Sequence, residues 1–165
     1  MDRALPDGVR TMRPLSWRRL SRAETGLACE IFGRGLRAGH VRVLALPVWP
    51  RAFVAGPSLI VWPASDALFD FGAELVSLQV QATFVHELTH VWQAQRGVFL
   101  PLAKLRAGDS AFSYAYDLAS GTPFASLNIE QQAMIVEHAF LASRGGEAPF
   151  ARRLYTQAES GWRSV

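Results

Sequence analysis

The stretch that decides the fold is residues 73–95, AELVSLQVQATFVHELTHVWQAQ. Its polar and apolar side chains separate with a period of about 3.6 residues, which predicts a long amphipathic helix that ends before Gly97. The polar stripe lies within an arc of about 80° and consists of Gln79, Thr83, His86, His90 and Gln93. The opposite stripe is apolar and consists of Phe84, Val85, Leu88, Val91 and Trp92. We expect the apolar stripe to face the core and the polar stripe to face a cleft.

Within this helix, His86-Glu87-Leu88-Thr89-His90 matches the pattern HExxH. At about 100° per residue, the two histidines lie about 40° apart and one turn from each other. Two imidazoles in this arrangement can occupy two positions of a tetrahedral Zn²⁺ ion. Glu87 lies beside that face, where it can reach a metal-bound water as a general base. The alternative is that two histidines merely occupy an exposed helix face.

The third metal ligand must come from another element, because a catalytic zinc ion takes three protein ligands and keeps one position open for water. The last long helix offers Glu130 in its first turn and Glu137 two turns later on nearly the same face. We predict that Glu130 is the ligand. Glu137, His138, Asp117 or the lack of a third ligand remain alternatives, and an acidic residue in a first turn is also favoured by the helix dipole alone.

Two helices are predicted outside residues 73–95 by their capping residues. Ser21 and Glu24 form a capping box, so a helix begins there and ends at Gly33–Gly35. Asn128, with Gln131 three residues later, caps a helix that runs to about residue 143. A short helix is expected within residues 152–161.

Three short apolar segments predict a small sheet, which we expect to be antiparallel. They are residues 41–46, 53–55 and 58–62. Residues 99–124 mix Pro, Gly, Ser and aromatic side chains and predict a long loop or short irregular elements. The order of helices and strands predicts an α+β fold, in which the sheet packs on the HExxH helix and on the downstream glutamate helix.

The composition is that of one folded domain. The chain has 165 residues, of which 50% are hydrophobic and 19% are charged, and its mean hydropathy is +0.10. These values exclude intrinsic disorder, and no segment approaches the roughly 18–20 apolar residues of a membrane span. The start of the chain lacks the apolar segment of a signal peptide. Cys29 is the single cysteine, so no internal disulfide can form. We expect a cytoplasmic protein, or one exported without a recognisable signal peptide.

Positive charge is concentrated near the start of the chain. Residues 1–42 hold nine arginines and four acidic residues, whereas the rest holds eight basic and ten acidic residues. We predict that residues 1–15 form a flexible basic segment, followed by a single domain over residues 16–165. A basic segment could contact an acidic partner or an anionic surface. No nucleic-acid partner is expected, because no known binding motif or aromatic interleaving accompanies the arginines.

The segment HELTHVWQ, followed some forty residues later by IEQQA, resembles the zinc metallopeptidases of the gluzincin type. In these enzymes two HExxH histidines and a glutamate from a downstream helix bind zinc, so the resemblance implies Zn²⁺ held by His86, His90 and Glu130. Glu130 and Ala133 match the ExxA form of the glutamate motif. Met134 stands where the ExxxD form has the aspartate that orients a zinc-bound histidine, so this orienting group is missing from that position.

The resemblance extends over most of residues 15–145. Ile31-Phe32-Gly33, a VRV strand, a YxYD stretch and IEQQAxIVE are together similar to bacterial Vgr-related and Rhs-associated proteins of contractile injection systems, which have a metallopeptidase-like domain. Residues 58–62 resemble the edge strand with which gluzincins bind an extended peptide. A secretion-apparatus partner is therefore possible.

The function expected from these observations is zinc-dependent hydrolysis of peptide bonds. Zinc would activate a water, Glu87 would take its proton and pass it to the leaving amine, and the substrate would be a peptide or protein. Tyr114 and Tyr116 could donate to the oxyanion, although such tyrosines are often only half-buried packing. Two alternatives remain, namely a non-catalytic zinc- or peptide-binding module of a secretion apparatus and a delivered protease effector.

Overall fold

A computed structural model describes residues 8–163, and they form the predicted α+β fold. Residues 1–7, where part of the predicted flexible segment falls, lie outside the described residues. The strands are β1 (Trp17–Arg19), β2 (Arg42–Leu46), β3 (Phe53–Val54) and β4 (Leu59–Pro63). The helices are α1 (Arg22–Phe32), α2 (Leu78–Gln95), α3 (Leu100–Ala107), α4 (Ala111–Tyr114), α5 (Ile129–Ser143) and α6 (Arg152–Ala158).

The sheet is mixed, which corrects the antiparallel prediction. Its strand order is β1-β2-β4-β3. β1 and β2 are antiparallel, as are β3 and β4, but β2 and β4 run parallel, with Arg42 opposite Leu59. The physical reason is that the chain reverses twice between β2 and β4, once into β3 and once out of it. β4 therefore lies in the interior of the sheet.

Glu24 connects α1 to the rest of the fold through the predicted capping box. Its backbone N–H donates to Ser21 Oγ at 3.0 Å, and its carboxylate accepts from Ser21 N at 2.8 Å. The same buried carboxylate accepts two hydrogen bonds from Arg18 of β1 and one from the Phe71 N–H. A buried carboxylate is tolerated because both oxygens are paired.

The apolar stripe of α2 faces the core, as the sequence predicts. Phe84, Val85, Leu88 and Val91 are fully buried, and the Phe84 ring stacks on Phe71 with centroids 4.8 Å apart. The helix begins five residues later than expected, because the Ser77 side chain accepts a hydrogen bond from the Val80 N–H and caps it there. The polar stripe packs along α5.

The region after α2 is more helical than expected. Residues 99–124 contain α3 and α4 in addition to turns of 3₁₀ helix. Pro101 stands in the first turn of α3, where proline is favoured, and Gly108 ends it at a φ of 79°. Leu102 and Leu105 of α3 remain exposed. The segment therefore lacks the apolar periodicity that makes a helix visible in a sequence.

The described part of the predicted flexible segment contacts the body of the domain. Met12 is buried and its N–H donates to Ala67 O, while the Leu15 N–H donates to Ala45 O. Among the helices of residues 8–163, none combines the length and apolar character of a membrane span.

Candidate metal centre

Three ligand atoms from α2 and α5 converge on one point. His86 Nε2 lies 3.2 Å from His90 Nε2 and 3.4 Å from Glu130 Oε2, and His90 Nε2 lies 3.3 Å from the same oxygen. Within the described chain these three residues form a group that could hold a metal ion. His90 and Glu130 are buried, and His86 is slightly exposed on the cleft side. The structure therefore brings together the three residues that the sequence singles out.

The start of α5 sets the position of Glu130. The side-chain oxygen of Asn128 accepts hydrogen bonds from the N–H groups of Glu130 and Gln131, both at 2.9 Å. The amide nitrogen of Asn128 donates to Ser113 O, which anchors the cap to α4. Because these contacts fix the first turn, the Glu130 carboxylate is directed at the histidines of the adjacent α2.

Each histidine is oriented by an acceptor at its other ring nitrogen. His86 Nδ1 lies 3.0 Å from Glu137 Oε2, and His90 Nδ1 lies 2.8 Å from Gln93 Oε1. The Gln93 amide nitrogen donates to Ile129 O and to Gln132 Oε1, so its oxygen is the atom that faces His90. Both acceptors require a hydrogen on Nδ1, so in the neutral form of each ring the Nε2 lone pair points to the shared centre.

The electrostatics of the centre favour a positive charge there. Burial lowers the pKa of His86, but hydrogen bonds to Glu130 and Glu137 outweigh burial and raise that pKa to about 9. Burial raises the pKa of Glu130, but hydrogen bonds from His86 and His90 hold it far below its usual range. The carboxylate therefore stays ionised beside the two rings.

Glu87 has an unused carboxylate oxygen beside the centre. The side chain is buried, and its Oε2 has no hydrogen-bond partner among residues 8–163. Glu87 and His86 line the same cleft, which has a volume of about 1540 Å³. A buried carboxylate oxygen without a partner is costly. Because Glu87 lines the cleft, its Oε2 is placed to gain a hydrogen-bond partner when a ligand binds there.

Comparisons with known proteins place the chain in a family. No protein-family model matches it. It is 34% identical over 131 residues to the type VI secretion system spike protein VgrG2b of Pseudomonas aeruginosa, a match that covers 75% of the chain and 13% of the spike protein. The solved structure of the VgrG2b effector domain from the same organism matches with a TM-score of 0.67 and 32% identity, over 89% of this chain and 84% of that one. This chain belongs to the VgrG2b effector-domain family. It spans about an eighth of the length of the VgrG2b spike protein.

The two tyrosines predicted as oxyanion donors in this VgrG2b relative have different surroundings. Tyr114 lines the cleft, and its hydroxyl donates to Asp109 Oδ1 at 3.2 Å. Burial, the charge of Glu130 and this hydrogen bond raise the pKa of Tyr114 to about 12. Tyr116 does not line the cleft. Its hydroxyl lies 2.6 Å from His138 Nδ1 and 2.7 Å from the Tyr155 hydroxyl, so it belongs to a separate network.

The other candidate residues are also held away from the three ligand atoms. Asp117 caps a 3₁₀ turn by accepting from the Ala119 N–H, and His138 faces Tyr116. Ile60 and Val61 do not lie at an edge of the sheet, because they pair with β2 on one side and with β3 on the other, whereas Trp62 pairs with β2 alone. The edge of the sheet on that side is the two-residue β3, which inserts beside β4.

Sequence reasoning missed the roles of Glu137 and Gln93. Glu137 contacts His86 Nδ1 and is not one of the three residues whose ligand atoms converge. It stands one turn after Met134, the position at which the ExxxD form would have its aspartate. Gln93 is on the same helical stripe as both histidines, which was the available signal for its contact with His90. Lys104 was also missed, and its Nζ lies 3.4 Å from Glu130 Oε1.

Proposed function

We propose that this VgrG2b-family effector domain is a zinc-dependent metallopeptidase. The observation that carries the proposal is the spacing of the three ligand atoms, 3.2, 3.3 and 3.4 Å. A tetrahedral zinc ion with ligands at about 2.0–2.1 Å requires neighbouring ligand atoms to lie roughly 3.3–3.4 Å apart. The side chains therefore fit a tetrahedral ion without rearrangement.

Zinc is the metal that these ligands suit best. Two imidazole nitrogens and one carboxylate oxygen are the ligand set of several catalytic zinc sites, in which the fourth position is left for water or substrate. Magnesium and calcium prefer sites made of oxygen atoms. The slight exposure of His86 on the cleft side supports an open fourth position.

We assign a chemical role to each residue of the chain from its position in the site. When bound, zinc would supply Lewis-acid activation of water and of a peptide carbonyl. Glu87 would accept a proton at its unpaired Oε2 and deliver it to the leaving amine. Tyr114 would exchange its hydrogen bond to Asp109 for one to the oxyanion, and the pKa of about 12 keeps its hydroxyl protonated at neutral pH.

We further propose that the domain is a delivered effector of a secretion apparatus. The support is its family, since the matched solved domain is named an effector domain and the matched protein is a secretion spike. The second candidate function is a non-catalytic zinc-binding module of that apparatus. Glu87 argues against this alternative, because a structural zinc site has no use for a buried carboxylate that lacks a partner.

The test is zinc content followed by cleavage. Elemental analysis of the purified protein should find one zinc per chain, and His86→Ala and Glu130→Ala should lose it. Glu87→Gln should retain zinc but lose all cleavage of an unfolded protein substrate. Absence of zinc after reconstitution would refute the metal site. Equal cleavage by wild type and Glu87→Gln would refute the enzyme and leave the non-catalytic module.

A further inference from the structure

Three large apolar side chains line the cleft without being buried by the fold. Trp49 is 49% exposed, Leu105 is 79% exposed and Phe53 is partly exposed. The rings of Trp49 and Phe53 are in contact, with centroids 5.4 Å apart. Exposed apolar surface gathered in a concave site is typical of ligand binding rather than of stability.

The backbone before Trp49 is held in a conformation that a β-branched residue rarely adopts. Val48 has a φ of 62° and a fully exposed side chain. This conformation is strained for a β-branched residue, and no side-chain burial at Val48 offsets the strain. The strained turn directs the chain so that Trp49 packs beside Phe53 at the cleft, which supports a role for this pair in binding.

Charges near these apolar side chains are already paired. Arg51 Nη2 and Asp109 Oδ2 lie 3.2 Å apart and join residues 49–53 to the segment after α3. Asp109 also accepts from the Tyr114 hydroxyl. Arg51 and Asp109 therefore offset each other's charge, and the apolar surface beside them favours an apolar side chain over a charged one.

The size of the cleft points to a polypeptide. Its volume of about 1540 Å³ exceeds the roughly 300–1,000 Å³ of pockets that enclose a small molecule. The cleft contains both Glu87 and the apolar group formed by Trp49, Phe53 and Leu105. A chain bound at the metal centre could thus place a neighbouring side chain on that group.

We propose, on the basis of the proposed function, that the substrate is a polypeptide with a large apolar side chain next to the scissile bond. That side chain packs against Trp49, Phe53 and Leu105. These three residues determine specificity, whereas the metal ligands and Glu87 carry out the reaction.

The test uses amino-acid hydroxamates, which bind zinc through the hydroxamate group and differ only in a benzyl, methyl or carboxymethyl side chain. Their dissociation constants for the zinc-loaded protein are measured by calorimetry. The benzyl compound should bind about tenfold more tightly than the methyl compound, and the carboxymethyl compound should bind no better than the methyl compound. Leu105→Ala and Trp49→Ala should reduce the benzyl preference at least about threefold and leave methyl binding unchanged.

Phe112→Ala is the matched control, since Phe112 is 86% exposed and lies outside the cleft lining. It should leave the benzyl preference intact. Equal binding of all three hydroxamates would overturn the specificity proposal but would still support the proposed metal centre. Failure of every hydroxamate to bind would overturn the proposed function and this inference together. Leu105 is so exposed that its replacement should not unfold the protein, which circular dichroism can verify.

Discussion

Replacement of Glu137 by Gln tests whether a buried carboxylate orients His86 for metal binding. Glu137 Oε2 lies 3.0 Å from His86 Nδ1, and its Oε1 accepts from the Gln79 amide at 3.4 Å. Gln has nearly the same shape and can still accept a hydrogen bond from the ring. The substitution therefore removes the negative charge while it preserves the contact.

The expected loss follows from the difference between two kinds of hydrogen bond. A bond to a charged group contributes about 1.5–3 kcal/mol and a neutral one about 1 kcal/mol. The difference of about 0.5–2 kcal/mol corresponds to an increase of roughly 2- to 30-fold in the zinc dissociation constant. Loss of an orienting partner in metalloproteins commonly weakens metal binding about 10–100-fold. We expect an effect of about tenfold.

The assay is competition for zinc against a chromophoric chelator at pH 7.5. Glu147→Gln is the control, because it makes the same chemical change at an exposed position. Circular dichroism and the melting temperature establish that both variants are folded. A zinc dissociation constant for Glu137→Gln within about twofold of the control would refute the orienting role.

Three further predictions concern stability and ionisation. Phe84→Ala should lower the free energy of unfolding by about 3–5 kcal/mol in urea denaturation, because Phe84 is fully buried, whereas Phe112→Ala should change it by less than about 0.5 kcal/mol. Asn128→Ala should cost about 1 kcal/mol and also weaken zinc binding, because the cap fixes the first turn of α5. All three tyrosines have raised pKa values, so tyrosinate absorbance at pH 10.5 should be much lower in the folded than in the urea-unfolded protein. Stability should fall as pH rises above about 10, because the unfolded chain loses its phenolic protons first. A normal titration in the folded protein would contradict this.

Local signals explain the parts of the fold that the sequence predicted. The capping residues Ser21 and Asn128 satisfy backbone N–H groups within their own helix starts, so their pattern is visible without tertiary structure. The two histidines share a helix face for the same reason. Glu130 was one of several candidate partners that the sequence offered, and the packing of α5 along α2 is what brings its carboxylate to the histidines.

Tertiary packing explains what the sequence did not predict. The parallel pairing of β2 with β4 depends on the path of the chain through β3. The alternation of apolar and polar residues in the sequence does not indicate that path. The contact between Glu137 and His86 depends on how α5 lies along α2, and Tyr116 is turned away from the cleft by its hydrogen bonds to His138 and Tyr155. In each case the deciding partner is distant in the sequence.

The charges around the candidate centre supply an independent argument for a divalent cation. When ionised, Glu87, Glu130 and Glu137 place three negative charges in a mostly buried region, and Lys104 supplies one positive charge at Glu130 Oε1. A buried excess of like charge is strongly unfavourable. A divalent cation at the three ligand atoms brings this group to neutrality. His90 Nδ1 faces the neutral amide of Gln93 rather than another carboxylate. This contact therefore adds no further negative charge to the group. Without a cation, protonation of His86, whose pKa is raised to about 9, offsets only part of this excess and leaves one negative charge unbalanced.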